Sequence, residues 1–368
     1  EKYGMEVYRA RWSEQPDEGL VRRHERQLFP LLRRRRAFAE VECFQLYDLH
    51  CQDGSVDENV FAYSNGSGAE CSLVLFHNRF AETSGWIRRS CAVQTNPGGG
   101  ADTLRHTTIA EALELPAGDN WYAVLTDAAS GLEYLRSCRL LHERGLYVEL
   151  AAYELHAFTD IRSVVDRADH RYARLAEQIG GRGVPSVDEA LAELELEPVL
   201  APYRRLVAPE LLRELLDLQL AGPEEPSARG PFDRVEAALA ELLAAIQDRI
   251  GGEPVPELAG AIRVDLEELL AGDRTAVPSG LVPRPAAGSP LLPAALAWVL
   301  LRRLADGAPE AAGDGDVGRW LDGWFLLSNL RHSLVALGLG AAASDRAVAA
   351  VRVLDACRGW WRADEADE

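Results

Sequence analysis

No apolar run in this 368-residue chain reaches the roughly 18 uninterrupted residues that a membrane span requires. The longest windows, such as 291–301, stop well short, and no charged-then-apolar leader opens the sequence, so no membrane partner is expected. Positive charge is scarce as well. Thirty-nine Lys and Arg against 58 Asp and Glu leave a formal charge of -19, which repels nucleic acid and anionic membranes over the surface as a whole. The run Arg33-Arg34-Arg35-Arg36 is the counter-signal; inside an apolar-periodic helix it reads as a solvated face pairing with nearby carboxylates rather than as a phosphate site. Cysteine is sparse and wrongly spaced for metal or redox work. Cys43, Cys51, Cys71, Cys91, Cys138 and Cys357 form no CxxC pair, which excludes zinc-ribbon and thioredoxin arrangements and suits free thiols in a reducing cytoplasm.

The signatures of catalysis are missing too. No Gly-x-Ser-x-Gly elbow stands between a strand and a helix, because Gly66-Ser67-Gly68 lies at a hairpin tip. Gly98-Gly99-Gly100 lacks the Lys-Ser/Thr of a phosphate loop, and Asp314-Gly315-Asp316 lacks the carboxylate a calcium loop needs at its twelfth position, which is Phe325. The eight histidines include no pair four apart on a helix, so no metal site is expected from local spacing, and no cofactor. His77 and His156 fall in strand-like sequence, where a hydrogen-bonded sheet histidine is the expectation over a catalytic one. Asn65-Gly66-Ser67 matches a glycosylation acceptor but reads as a type I′ hairpin turn, since Asn-Gly supplies the positive φ that turn needs.

What is present divides the chain in two. With 47% hydrophobic residues it has material for two or three domains. Residues 40–158 carry short alternating or aromatic-rich runs bounded by turns: 41–51, 60–63, 71–76, 85–94, 121–126 and 146–158. These argue for an antiparallel β-sandwich. Two helices interrupt it, one over 108–115 with Thr107 or Thr108 as cap and Glu111 closing a box, the other over 132–144 stopped by Gly145. After Asp160 the sequence turns rich in Ala, Leu, Glu and Arg. Ser186 and Glu189 form a capping box opening a helix to Leu196, and helices are expected over 209–220, 231–250, 264–271, 290–306, 318–337 and 344–362. Val235, Leu239, Leu242, Leu243 and Ile246 mark one buried face. The Pro/Gly/Ala-rich stretches 222–230, 278–288 and 307–315 read as loops. Among the aromatic residues, Trp86, Trp121 and Tyr122 are the candidates for stacking on sugar rings, with core packing as the alternative.

Six segments, 1–6, 24–39, Asp57 to Asn65, Leu73 to Arg79, Glu82 to Arg88 and Gly145 to Leu150, together resemble the C-terminal part of large bacterial enzymes of the alpha-amylase superfamily of glycoside hydrolases. Glu1-Lys2-Tyr3-Gly4-Met5-Glu6 is similar to the stretch after their last barrel strand, and His24-Glu25 through Phe29-Pro30-Leu31-Leu32-Arg33 to Phe38-Ala39 to their final barrel helix. Asp57-Glu58-Asn59-Val60-Phe61-Ala62-Tyr63-Ser64-Asn65 and Leu73-Val74-Leu75-Phe76-His77-Asn78-Arg79 resemble the first strands of the sandwich that follows, and Glu82 to Arg88 and Gly145 to Leu150 extend the likeness over residues 1–165. The helical half carries no such likeness. The resemblance implies a retaining attack on α-glucosidic bonds, by an Asp nucleophile and a Glu acid at the top of a (β/α)8 barrel of about 250 residues. No such alternation exists here, so those carboxylates are expected ahead of Glu1, no catalytic residue is assigned, and Asp48, Asp57 and Glu58 are not nominated. The expected architecture is therefore mixed and multidomain: 1–39 a remnant of the last barrel helix, 40–165 an antiparallel β-sandwich, 166–368 an all-α domain. The expected role is non-catalytic: bracing the upstream barrel of the same polypeptide, with α-glucan as a further contact. The alternative is a free-standing carbohydrate-binding or scaffolding protein with a helical interaction domain, and a weaker one is an enzyme built on the sheet histidines.

Overall fold

A computed structural model describes residues 16–39, 41, 43–94, 104–221, 229–251, 257–271, 291–304, 306 and 317–356. The chain forms two compact units, Glu1–Leu191 and Ala192–Glu368.

The first unit opens on a helix in three parts. Helix α1, Glu18–Arg23, starts where Asp17 accepts the Leu20 N–H at 3.0 Å. A π-helical turn, His24–Leu28, leads into α2, Phe29–Arg33. Pro30 explains the wide turn, because it has no N–H to return to the preceding turn and the ladder shifts register just ahead of it, with the Phe29 N–H reaching His24 O. No residue of α1 or α2 is buried. Of the arginine run, Arg34 pairs with Asp160 at 2.5 Å and donates to Thr159 Oγ1 at 3.1 Å, in line with the carboxylate pairing expected of it.

Next come β1 (Gln45–Tyr47), β2 (Val60–Asn65), β3 (Ser72–His77), β4 (Thr83–Ile87), β5 (Val93–Gln94), β6 (Leu104–Arg105), α3 (Ile109–Ala112), β7 (Trp121–Asp127), β8 (Glu133–Ser137), α4 (Cys138–Arg144), β9 (Leu146–Leu150) and β10 (Leu155–Val165). An open six-stranded sheet runs β1-β2-β3-β10-β7-β8, all antiparallel, beside the pairs β4-β9 and β5-β6. Alternation decides the faces. Ala62, Leu73, Leu75, Leu125 and Phe158 join Ile87, Leu146 and Leu150 in one core, so both the large sheet and the β4-β9 pair contribute to it. The other face of the large sheet carries Leu46, Phe61 and Leu155, all exposed, with Phe61 stacked on its cross-strand partner Phe76 at 6.5 Å.

Local signals held where the partners are close in sequence. Thr108 Oγ1 accepts the Glu111 N–H at 3.2 Å while Glu111 accepts the Thr108 N–H at 2.8 Å, so the capping box opens α3 as expected. Two expectations within the sheet unit are corrected. Residues 133–137 are strand β8, not helix: they pair along β7 from Thr126↔Glu133 to Tyr122↔Ser137, and the helix begins only where the Ser137 Oγ caps α4. The Asn65-Gly66 connection is a hairpin but not a two-residue type I′ turn, because Asn65 still pairs with Ser72 and a 3-10 turn, Gly68–Glu70, fills the loop. Gly66 and Gly68 both have positive φ there, +80° and +54°, and a Cβ on Gly66 would sit 2.3 Å from Glu70 O.

Helix α5 (Arg171–Ile179) groups with the sheet through Tyr172, Leu175 and Ile179. Helix α6 (Val187–Glu195) is tied to it where the Val187 N–H meets Glu133 Oε2 at 2.7 Å, and Ser186 caps the Glu189 N–H at 3.2 Å. The second unit continues with α7 (Glu197–Leu206), α8 (Pro209–Ala221), α9 (Arg229–Ile250), α10 (Glu257–Ala271), α11 (Leu291–Leu301), α12 (Val317–Gly323), α13 (Leu326–Ala336) and α14 (Ala341–Ala356). The stripe from Val235 to Ile246 on α9 is buried as its spacing predicts. Helix α11 is apolar all round and buried nearly all round, as a central helix must be. The single helix expected over 318–337 is two, broken at Phe325, whose φ is +57°, and the break leaves Trp324 stacked on Trp320 at 4.7 Å. The loops expected at 278–288 and 307–315, and most of 222–230, lie outside the described residues; Arg229 and Gly230 already belong to α9.

Candidate functional site

The three aromatic candidates occupy three surfaces of the sheet unit. Trp86, on β4, lies against its cross-strand partner Tyr147 on β9, ring centroids 5.1 Å apart, both half-buried. Trp121 and Tyr122 are consecutive on β7 and so point to opposite faces: Trp121 packs on the sheet core, and Tyr122 stacks on Tyr172 of α5 at 6.3 Å. No single aromatic face collects all three.

The two sheet histidines are both engaged. His77 at the end of β3 is fully buried, and its Nδ1 lies 3.0 Å from Ala151 O, so that nitrogen carries the proton. His156 on β10 sets Nδ1 3.0 Å from Asp127 Oδ2 and Nε2 3.3 Å from Glu154 Oε1, with its ring stacked on Phe158 at 5.5 Å. Asp127 ends β7 fully buried. It accepts the Ala157 N–H at 2.9 Å, the Ala129 N–H at 3.1 Å and the Ser130 hydroxyl at 2.6 Å besides His156. Burial opposes its charge, but the bonds from His156, Ser130 and the two N–H groups outweigh it and hold the carboxyl down at about 2, against an ordinary 3.8. Ser, His and Asp therefore meet, though not in the order nucleophilic catalysis needs. Ser130 donates to the carboxylate, and the histidine nitrogen that would activate a nucleophile faces Glu154 instead.

Both histidines converge on one turn, Ala151-Ala152-Tyr153-Glu154, between β9 and β10. His77 holds its first carbonyl, and the His77 N–H reaches Glu154 O at 3.0 Å. Glu154 Oε2 accepts the Ala151 N–H at 2.6 Å, and the Tyr153 N–H reaches Arg79 O at 3.2 Å in the β3-β4 loop. Tyr153 sits in the left-handed region at φ +55°, which costs a non-glycine residue about 1–3 kcal/mol and persists only where surroundings impose it. Its exposed ring lies 6.3 Å from that of Phe80, at 37°. Phe80 is 84% exposed and Tyr153 58%. Neither was singled out by the sequence. The available signal was Phe80 falling just beyond the last paired position of β3, between Arg79 and Ala81, where alternation no longer buries a side chain.

Elsewhere the charged groups do structural work. Asp57, near His77, is held below its ordinary value by a hydrogen bond from Thr83, against burial, and by Asn59, whose N–H and side-chain amide it accepts at 3.0 and 2.8 Å. Burial pushes the Cys71 and Cys138 thiols up to about 11, so neither is a nucleophile near neutral pH. Asp265 on α10 is buried between Arg302, at 2.5 Å, and Arg303, at 2.6 Å. Among the described residues no group of three or more His, Cys, Asp or Glu is placed to hold a metal ion, and no helix is long and apolar enough to cross a membrane. The class so defined is a mixed chain of antiparallel sheet and helix with one braced, aromatic-tipped turn. Set against protein-family models, curated proteins and solved structures, the chain matches none.

Proposed function

We propose that this chain is the non-catalytic trailing region of an α-glucan-acting glycoside hydrolase of the alpha-amylase superfamily, its sheet unit bracing a catalytic barrel encoded ahead of Glu1. The observation that carries this reading is apolar surface left uncovered. Val21, Leu28, Phe29 and Leu32 are exposed on the first helix, and Leu46, Phe61 and Leu155 on the outer face of the large sheet. Isolated helices this short are marginal in water and draw their stability from packing an apolar face, so a helix without one buried residue calls for a partner surface. In this reading 1–39 is the end of the barrel with its last helix, and the large sheet and the β4-β9 pair are layers of a C-terminal sandwich over 40–165. Residues 166–368 are then an all-α packing module. Trp86, Trp121 and Tyr122 remain candidate sugar contacts, and the free thiols Cys43, Cys51, Cys71, Cys91 and Cys138 support a cytoplasmic setting.

The test is to read and express the coding sequence ahead of Glu1 together with this chain. Barrel strands ending in Asp and Glu are expected there, and hydrolysis of an α-glucan is expected of the whole polypeptide. Leu28→Asp should lower its Tm by several degrees while leaving the Tm of the shorter chain unchanged. A reading frame that opens at Glu1 overturns the proposal.

A further inference from the structure

We propose that Phe80 and Tyr153 form a sugar-stacking platform, set for two successive glucose units of an α-linked glucan. The inference rests on the α-glucan reading above and names a binding site within it.

Phe80 and Tyr153 present neighbouring rings to solvent from two different loops, and those loops are pinned to each other by the Tyr153 N–H to Arg79 O bond. The turn carrying Tyr153 is held by His77, which donates to its first carbonyl, and by its own Glu154, which accepts the Ala151 N–H. A buried histidine and the turn's own carboxylate thus fix four residues whose one large exposed side chain is a tyrosine in a strained backbone. That is preorganisation of the backbone: the turn that carries the ring is set before any ligand arrives, so binding loses little further backbone freedom. The surroundings suit a sugar better than an apolar protein surface. Asn78, Arg79 and Glu82, exposed and within two residues of Phe80 along the chain, offer donors and acceptors to sugar hydroxyls, while the aromatic faces take the apolar side of a pyranose. The 37° tilt between rings matches a chain whose successive units turn relative to one another, as α-linked glucose does. A flat β-linked chain would call for coplanar rings.

Affinity electrophoresis of the full chain in gels containing glycogen, with hydroxyethylcellulose gels as comparator, tests the platform. Retardation is expected in glycogen alone. Phe80→Ala should weaken it about tenfold, the loss of one stacked ring. Tyr153→Gly should do the same with the Tm held or raised, because glycine takes a positive φ without strain and misfolding is thereby removed as an explanation. An unretarded chain, equal retardation in both gels, or retardation that survives both substitutions and falls with Trp86→Ala would each overturn the platform. The two readings fail separately. An unretarded chain with a barrel encoded ahead of Glu1 sinks the platform alone, and a retarded chain with no barrel there sinks the bracing role alone.

Discussion

Asp127 is the residue on which the sheet unit concentrates most. It closes the β7-β8 connection through Ala129 and Ser130, fixes β10 through the Ala157 N–H, and orients His156 toward Glu154. An unpaired buried charge would be ruinous there. A carboxylate with four donors is stable, and removing it leaves the buried Ala157 N–H without that acceptor and His156 without its anchor. Asp127→Ala should therefore destabilise the chain by about 3 kcal/mol, read as a lower urea midpoint with an unchanged slope. The pH dependence follows from the same contacts. With the folded carboxyl near 2 and its ordinary value 3.8, the unfolded chain takes up the proton first as pH falls. The contribution is complete above about pH 5 and lost as pH drops through 4 toward 2. Unfolding midpoints of Asp127→Ala and the parent chain should thus converge in acid; a gap that stays constant down to pH 2 would show that the carboxylate's charge contributes nothing.

At the scale of elements, the small helix α3 shows what a cap is worth. It has four residues, too few to persist without its ends satisfied, and Thr108 and Glu111 bond each other's backbone N–H groups. Thr108→Ala should cost about 1 kcal/mol in urea unfolding, while Thr108→Ser, which keeps the acceptor, should cost little; equal losses for the two would place the effect in packing rather than in the cap. This helix was legible in the sequence because both partners lie three residues apart. The strands around Val60, Ser72, Thr83 and Trp121, and the stripe on α9, were legible for the same reason: their burial pattern is written in local periodicity. Strand β8 was not. Its Leu, Glu, Tyr and Arg suit a helix equally well, and pairing with β7 decides the matter from outside the segment. Helix α7 was hidden by Pro198 in its first turn and Pro202 inside it, both usually read as breakers. The site was less legible than the fold. The sequence marked His77 and His156 as sheet histidines with hydrogen bonds, and both have them. Asp127, whose partner N–H lies 30 residues away at Ala157, and Tyr153, whose conformation is imposed by three separate segments, carry no local mark.

For the whole molecule the telling property is that its two cores are built from different stretches of chain. The sheet core runs from Tyr47 to Phe158 and the helical core from Leu196 to Val351, with no residue in common. The two units also differ in what secures them: long-range strand pairing in one, packed apolar helix faces in the other, so their stabilities need not coincide. Calorimetry of the full chain should show two transitions, and single core truncations should tell them apart. Leu75 is fully buried in the sheet core and Leu242 in the helical core. Leu75→Ala and Leu242→Ala should each remove about 3 kcal/mol by leaving a cavity. At this domain size that is a drop of roughly 6–12 °C in the transition to which the residue belongs. Each substitution should leave the other transition where it was, since distant sites without shared partners act independently. If both variants instead lower one common transition by the same amount, the chain unfolds as a single cooperative unit and the division at Leu191 has no thermodynamic meaning.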